Sequence, residues 1–435
     1  MLLSIRERRL HFSITKENFP KLLVFLWLLS DFFLTAARFF LHRLNIEGNP
    51  REIVLFAVAS FPILLLIRYY REDKEILKDS KLFFLIYIFS ALSFLINYVF
   101  FPQYRYFYFR KEYGLLRVFR PDSAIYALLF FSILDDPKDF YKIIKNFSYL
   151  NFLKIFISVY IPRLIRGYWV DVNHVGAKVT RLYSLSFGYT LIFPTIVFLY
   201  VYMKEKKPKD LLLSILCIGM IFFQGSRGAL FLPILFLIFM AISNSIHLDN
   251  KRKSLKKITI IIGVLGLIFL FKNEIYDFLI NTFQNLGLKT RTITKLLESS
   301  ITDDSGRNEI WTLVRKAIKD NWVFGYGAYG DRPFVFPEHF VGYSHNIVLE
   351  MVCSFGLVGV GILTFLLIQT IKMFLCKDRL WRELYIVFFT VSCQLFLSLS
   401  FWYVTEFWIM IAILYKYYRN NKRMEVCHRL KEMSF

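Results

Sequence analysis

The sequence predicts an all-α fold: a polytopic transmembrane helical bundle of about 12 spans, with a helical outer loop between spans 9 and 10. Three observations predict it. Hydrophobic residues make up 56% of the 435, including 49 Phe, and mean hydropathy is +0.46, too apolar for one soluble core. Apolar runs recur at the length of about 20 residues that crosses a bilayer as helix. Short lysine-rich segments separate many of them, as in cytoplasmic loops.

Spans are expected around Leu29, Ala59, Ile88, Leu128, Ile157, Thr190, Cys217, Phe236 and Val264, then Leu357, Phe389 and Met410. Several are short or polar, so the range is about eleven to thirteen. They divide the chain into a nine-span block (1–271), an outer loop (272–344), a three-span block (345–417) and a basic tail (418–435). The first span follows a basic segment, as a signal anchor does. It is longer than a secretory signal core, so no cleavage is expected. No internal repeat is apparent, which counts against an inverted-repeat transporter. Asp31 and Arg38, seven apart on one helical face, read as a buried mutual pair.

A net charge of +22 suggests nucleic acid, but lysine and arginine bias in cytoplasmic loops explains it better in a membrane protein. With the amino terminus inside, the inner segments carry 32 of the 55 basic residues and the outer segments 21. Both termini are therefore expected in the cytoplasm and the long loop outside. The inner set is 21 Lys to 11 Arg, whereas the outer set is 7 Lys to 14 Arg. A guanidinium pairs two hydrogen bonds to phosphate and keeps its charge when partly desolvated, so the outer face suits an anionic ligand. Anionic lipid head groups are the simpler alternative. The five cysteines fall in spans or on the inner side, which leaves no external disulfide framework.

Within the outer loop, apolar residues recur at helical spacing over Glu274 to Leu286 and again at Ile310, Leu313, Val314, Ala317 and Ile318. Asp303, Asp304 and Ser305 can cap the second helix. Arg307 then shares a face with Trp311 and Val314, toward the bundle. Gly325 to Gly330 matches G-x-G-x-x-G, but no strand precedes it, so a dinucleotide site is excluded in favour of a tight turn whose glycines admit a bulky ligand.

Other candidates carry charge where topology alone does not require it. Arg227, flanked by Ser226 and Gly228, sits at the outer interface as a snorkelling anchor or an anion contact. Arg105, Arg110, Lys111, Arg117 and Arg120 crowd a segment with Tyr104, Tyr106, Phe107, Tyr108 and Phe109, a pattern suited to sugar and diphosphate or to an aromatic belt. Arg163, Arg166 and Arg181, around Trp169 and His174, form a similar group. His345 opens the tenth span, followed by Asn346 and Glu350; a lone interfacial histidine is more often structural than catalytic.

Ser226-Arg227-Gly228, then Gly306-Arg307 with Trp311, Gly325-x-Gly327, and His345-Asn346 with Leu349-Glu350 and Gly356-Leu357-Val358-Gly359 occur in an order that resembles the O-antigen ligase and polymerase superfamily of bacterial envelope glycosyltransferases. The resemblance covers Arg227 to Gly361. It implies a class C glycosyltransferase-like fold in the bacterial inner membrane, facing the periplasm, and an oligosaccharide donor on undecaprenyl pyrophosphate. Arginines matching Arg227 and Arg307 would hold the pyrophosphate, with Arg105, Arg110, Arg117 and Arg120 as further candidates. His345 would receive the acceptor hydroxyl's proton, with Glu350, Trp311 and Arg166 in support. No cofactor and no metal are implied, and the first outer loop, with only Glu47 and the adjoining Glu52, lacks an acidic pair. Expected partners are the lipid-linked oligosaccharide and membrane lipids, with a chain-length regulator and a flippase as further candidates and no nucleic acid. A polymerase is the leading expectation, a ligase the alternative within the superfamily, and a lipid-linked oligosaccharide flippase or exporter the alternative of another class.

Overall fold

Helices whose flanks carry explicit start signals assemble into a helical membrane protein. The computed structural model describes residues 18–72, 78–110, 114–172, 178–181, 184–224, 227–248, 307–337 and 342–432, with isolated positions between 252 and 281. The span expected at Val264, the helix expected over Glu274 to Leu286 and the cap at Asp303 to Ser305 lie largely or wholly outside the described residues. The main elements are α1 (Phe19–Leu28), α2 (Ser30–Arg43), α3 (Gly48–Glu72), α4 (Lys81–Phe100), α5 (Tyr126–Ser132), α6 (Pro137–Ile155), α7 (Leu185–Glu205), α8 (Pro208–Gln224), α9 (Arg227–Ile246), α10 (Arg307–Asp320), α11 (Ile347–Phe374), α12 (Arg379–Ser392) and α13 (Thr405–Glu432).

Several starts follow local chemistry. Asp136 accepts the Lys138 amide with Pro137 in the first turn of α6, Ser184 accepts from Phe187 at α7, and Asp378 accepts from Leu380 and Trp381 at α12. Among the described residues, five helices are long and apolar enough to cross a membrane: Gly48–Arg71, Lys81–Phe100, Ser186–Glu205, Gly228–Ile246 and Ile347–Phe374. The pair α1 and α2, bent by 50°, counts as a sixth if taken as one span. The other expected spans correspond to shorter or more polar helices. Around Leu128 only the seven-residue α5 forms, and around Phe389 the 14-residue α12. The tail expected from 418 onward continues α13 to Glu432.

One departure from an all-helical chain is a hairpin of β1 (Trp169–Val172) and β2 (Lys178–Arg181), paired antiparallel. It follows the helical run from α6 through a π-turn at Phe156–Tyr160 to Arg166, which Gly167 ends with φ 80°. A second correction concerns Asp31, whose partner is Lys154 from α6 and not Arg38. Spacing along one helix could not reveal a pairing across 123 residues.

The core lies where α5, α7, α12 and α13 meet, with Phe130, Phe198, Tyr385 and Phe388 fully buried. By contrast α3, α4 and α11 turn Leu64, Leu85, Leu95, Phe365 and Leu367 outward. Exposed apolar surface on such long helices is what lipid contact requires.

The Gly325 to Gly330 segment packs backbone to backbone on α11, which breaks at Gly356 (φ 55°, ψ −131°). Tyr326 and Gly327 donate to the Cys353 and Ser354 carbonyls at 2.9 and 2.7 Å, and Leu357 donates to Val323 at 3.0 Å. A Cβ on Gly356 would lie 2.3 Å from the Val323 carbonyl oxygen, and one on Gly325 would lie 2.6 Å from the Gly356 amide nitrogen. The closeness that Gly325 and Gly356 permit is therefore that of helix against turn. Gly356→Ala should cost about 2–4 kcal/mol from backbone clash and left-handed strain. Gly361→Ala, with open space around it, should be neutral or slightly stabilising. Thermal unfolding of the two variants in detergent checks the contrast.

Candidate active site

The site begins with α10, whose Ile310, Val314 and Ala317 are buried against Val335 and Cys353. That burial fixes the rotation of α10, and the indole of Trp311 donates to the Ser344 carbonyl at 3.0 Å. The first turn of α10 is thereby tied to the turn that carries His345. Asn346 caps α11, accepting from Val348 and Leu349, so its role is to start the helix directly after His345.

Beneath this turn lies a buried ionic network. Arg332 donates through Nη1 to both Asp331 oxygens at 2.7 and 2.8 Å, and through Nη2 to Glu350 Oε1 at 3.1 Å and Ser400 Oγ at 3.3 Å. Ser400 in turn donates to Glu350 Oε1 at 2.5 Å, and Asp331 accepts the Ser344 amide at 2.8 Å. The Arg332 guanidinium lies over the Tyr329 ring at 4.7 Å and the Tyr343 ring at 5.3 Å. Flanked by two carboxylates, it is held above the usual arginine range. Among the described residues, Glu350 Oε2 is buried with no hydrogen-bond partner. Burial raises the Tyr403 hydroxyl to about 12, and this hydroxyl is hydrogen-bonded to that of Tyr329.

Three non-glycine residues around this network adopt left-handed backbone: Tyr329 (φ 63°), His345 (φ 53°) and Leu399 (φ 66°). Such strain persists only where surrounding contacts impose it, and it concentrates at functional sites. His345 packs against the Tyr343 ring at 4.2 Å, and its Nδ1 is 3.3 Å from the Ser398 hydroxyl. Burial, with Arg307 and then Arg332 nearby, pushes the imidazole down to about 3, so it is neutral at physiological pH.

Tyr189 of α7 joins the pieces. Its hydroxyl sits beside Arg307 and Ser398, the residue that also meets His345. A Cβ on Gly228 would come within 2.6 Å of the Tyr189 hydroxyl oxygen. The segments carrying Arg227, Arg307 and His345 are thus brought to one place. The side chain of Arg227 itself lies outside the described residues, as do Gly225 and Ser226.

The remaining sequence candidates are placed elsewhere. Arg105 donates to the Tyr98 carbonyl and lies over its ring, and Arg110 lies over Phe336 at 4.6 Å. Arg117 and Arg120 line a separate polar cavity, where Arg120 pairs with Asp122. Arg166 is exposed and bonds back to Pro162. Among the described residues, no group of three or more His, Cys, Asp or Glu side chains is arranged to hold a metal ion. Tyr189, Ser398, Asp331 and Arg332 were not singled out in the sequence. The one available signal was the adjacent Asp331-Arg332 pair inside an otherwise apolar segment.

A family model described as O-antigen ligase matches residues 212–366, a stretch that contains Arg227, Arg307 and His345. The resemblance to the O-antigen ligase and polymerase superfamily is shown over that part of the chain. Among curated proteins none matches. Arg332→Met should destabilise the fold by about 3–5 kcal/mol, because it strands two buried carboxylates. Chemical denaturation in detergent checks this, and wild-type stability would show that the network is not strained by its loss.

Proposed function

We propose that the protein is a polymerase of O-antigen or capsular polysaccharide, transferring a glycan from undecaprenyl pyrophosphate to a sugar hydroxyl of a second lipid-linked repeat unit. The observation that carries this reading is the junction at Tyr189 and Ser398, which draws Arg307, His345 and the segment of Arg227 around one point. Two arginines there suit a diphosphate. The site faces the periplasm and both termini lie in the cytoplasm, in keeping with the lysine bias of the inner loops.

The chemistry needs no nucleotide. The acceptor oxygen attacks the anomeric carbon, the bond from that carbon to the diphosphate oxygen breaks with inversion, and undecaprenyl pyrophosphate leaves with the electron pair. Arg307 and Arg227 stabilise the charge that develops on it. With Nδ1–H donating to Ser398, Nε2 of His345 takes the acceptor proton. An imidazole held near 3 is a weak base while Arg307 is uncompensated. A seated diphosphate neutralises that guanidinium and raises the basicity of His345, so the donor binds before the proton moves.

A ligase reading is favoured by the description of the matching family, which names an O-antigen ligase. Loss of the polysaccharide ladder with a single capped repeat remaining identifies a polymerase. Accumulation of full-length polymer on undecaprenyl pyrophosphate identifies a ligase. Reconstitution with pure lipid-linked repeat unit tests a flippase, which would relocate that substrate without lengthening it.

His345→Ala should lower polymer synthesis by about 10²–10⁴ with membrane insertion intact, the usual worth of a general base, and Arg307→Ala should abolish it. Wild-type product lengths in both would remove their assigned roles. Because the free-enzyme imidazole is already neutral, kcat/KM should show no loss from this group between pH 7 and pH 5. A histidine at its ordinary value of about 6.5 would lose about 25-fold over the same interval. A pH profile with purified donor distinguishes the two.

A further inference from the structure

Beside the His345 cluster lies a cavity of about 690 Å³, lined by polar and aromatic side chains from α2, α6, α7 and the start of α13. On α7, Ser186, Phe187 and Thr190 face it, while the intervening Tyr189 meets Arg307. Tyr403 forms part of its wall and joins the network beneath His345 through Tyr329. The cavity is therefore adjacent to the reacting centre and separate from it. A substrate whose reacting hydroxyl lies at His345 would extend its neighbouring sugars into this space.

The charges in the cavity do not cancel. Lys154 pairs with Asp31 and Arg120 with Asp122. Two further guanidinium groups, Arg38 and Arg117, have no hydrogen bond or ion pair among the described residues, and Glu406 is the only other carboxylate in the lining. Trp169, from the hairpin, adds a buried indole seated 4.8 Å from the Phe187 ring. The volume is in the usual range of about 300–1,000 Å³ for small-ligand sites, enough for a few sugar rings. A polar chamber with an aromatic wall and two uncommitted guanidinium groups suits a sugar that bears a carboxylate, which a guanidinium grips in paired hydrogen bonds.

We propose that this cavity binds a uronic acid residue of the acceptor glycan, with Arg38 and Arg117 holding its carboxylate and Trp169 against its ring. The inference rests on the glycan-transfer reading above and narrows its substrate to an acidic repeat unit. The test uses the full-length protein in nanodiscs of neutral lipid, which removes anionic head groups as competitors. Saturation-transfer NMR compares galacturonic acid oligomers with galactose oligomers of equal length. The acidic oligomers should bind, the neutral ones at least tenfold more weakly. Binding should be lost in an Arg38→Ala and Arg117→Ala double variant of unchanged melting temperature and retained in His345→Ala. Equal binding of neutral and acidic oligomers, or acidic binding that survives the double variant, overturns the proposal. Sugar analysis of the polymer made in cells provides the second arm: a repeat unit without any uronic acid also overturns it. Failure of the transfer reading shows differently, as polymer that persists in His345→Ala cells while the binding result stands.

Discussion

Everything at the site depends on one buried guanidinium. Arg332, 4% exposed, is held between Asp331 and Glu350 in surroundings where an unpaired charge would be severely penalised. Because the network closes only when every partner is present, it fixes the positions of all of them. Asp331 fixes the Ser344 amide, Glu350 fixes the first turns of α11, and Ser400 fixes the link into α13. Left-handed backbone at Tyr329, His345 and Leu399 follows from this closure, since each of these residues is adjacent to a residue so fixed or is stacked on the guanidinium.

This constraint also sets the chemistry. The same guanidinium that anchors the turn helps, after burial and Arg307, to keep the His345 imidazole neutral. In the proposed reaction Arg307 is both an anion contact and a brake on the histidine, released when an anion arrives. The aromatic platform of Tyr343 and the hydroxyl of Ser398 orient the ring, so that its free nitrogen faces a fixed direction. Apolar outer faces on α3, α4 and α11 place this polar centre in a protein built for lipid.

Much of this was legible in the sequence, and the limits are physical. Hydropathy located the long spans because a lipid-facing helix must be apolar throughout, as Lys81–Phe100 and Ile347–Phe374 are. It did less well at α5 and α12, whose burial within protein relaxes the length a membrane demands. The spacing of Ile310, Val314 and Ala317 revealed the buried face of α10, and with it the inward aim of Arg307. Tyr189 could not be found, because a tyrosine in an apolar helix has the same pattern whether its hydroxyl meets an arginine or not. The glycines of the 325–330 turn signalled close approach but not the partners, which are the broken backbone of α11 at Gly356 for Gly325 and the Asn97 side chain of α4 for Gly327. Asp31 was assigned to Arg38 because pairing along one helix is visible in sequence, whereas pairing to Lys154 depends on how helices pack.

The most direct test of the central claim is a cryo-electron microscopy map of the protein in nanodiscs with undecaprenyl pyrophosphate bound. Diphosphate oxygens should lie within about 3 Å of the Arg307 guanidinium, beside His345, with the Asp331–Arg332–Glu350 network unchanged. A diphosphate seated away from Arg307, with the His345 turn relaxed out of its left-handed conformation, would contradict it.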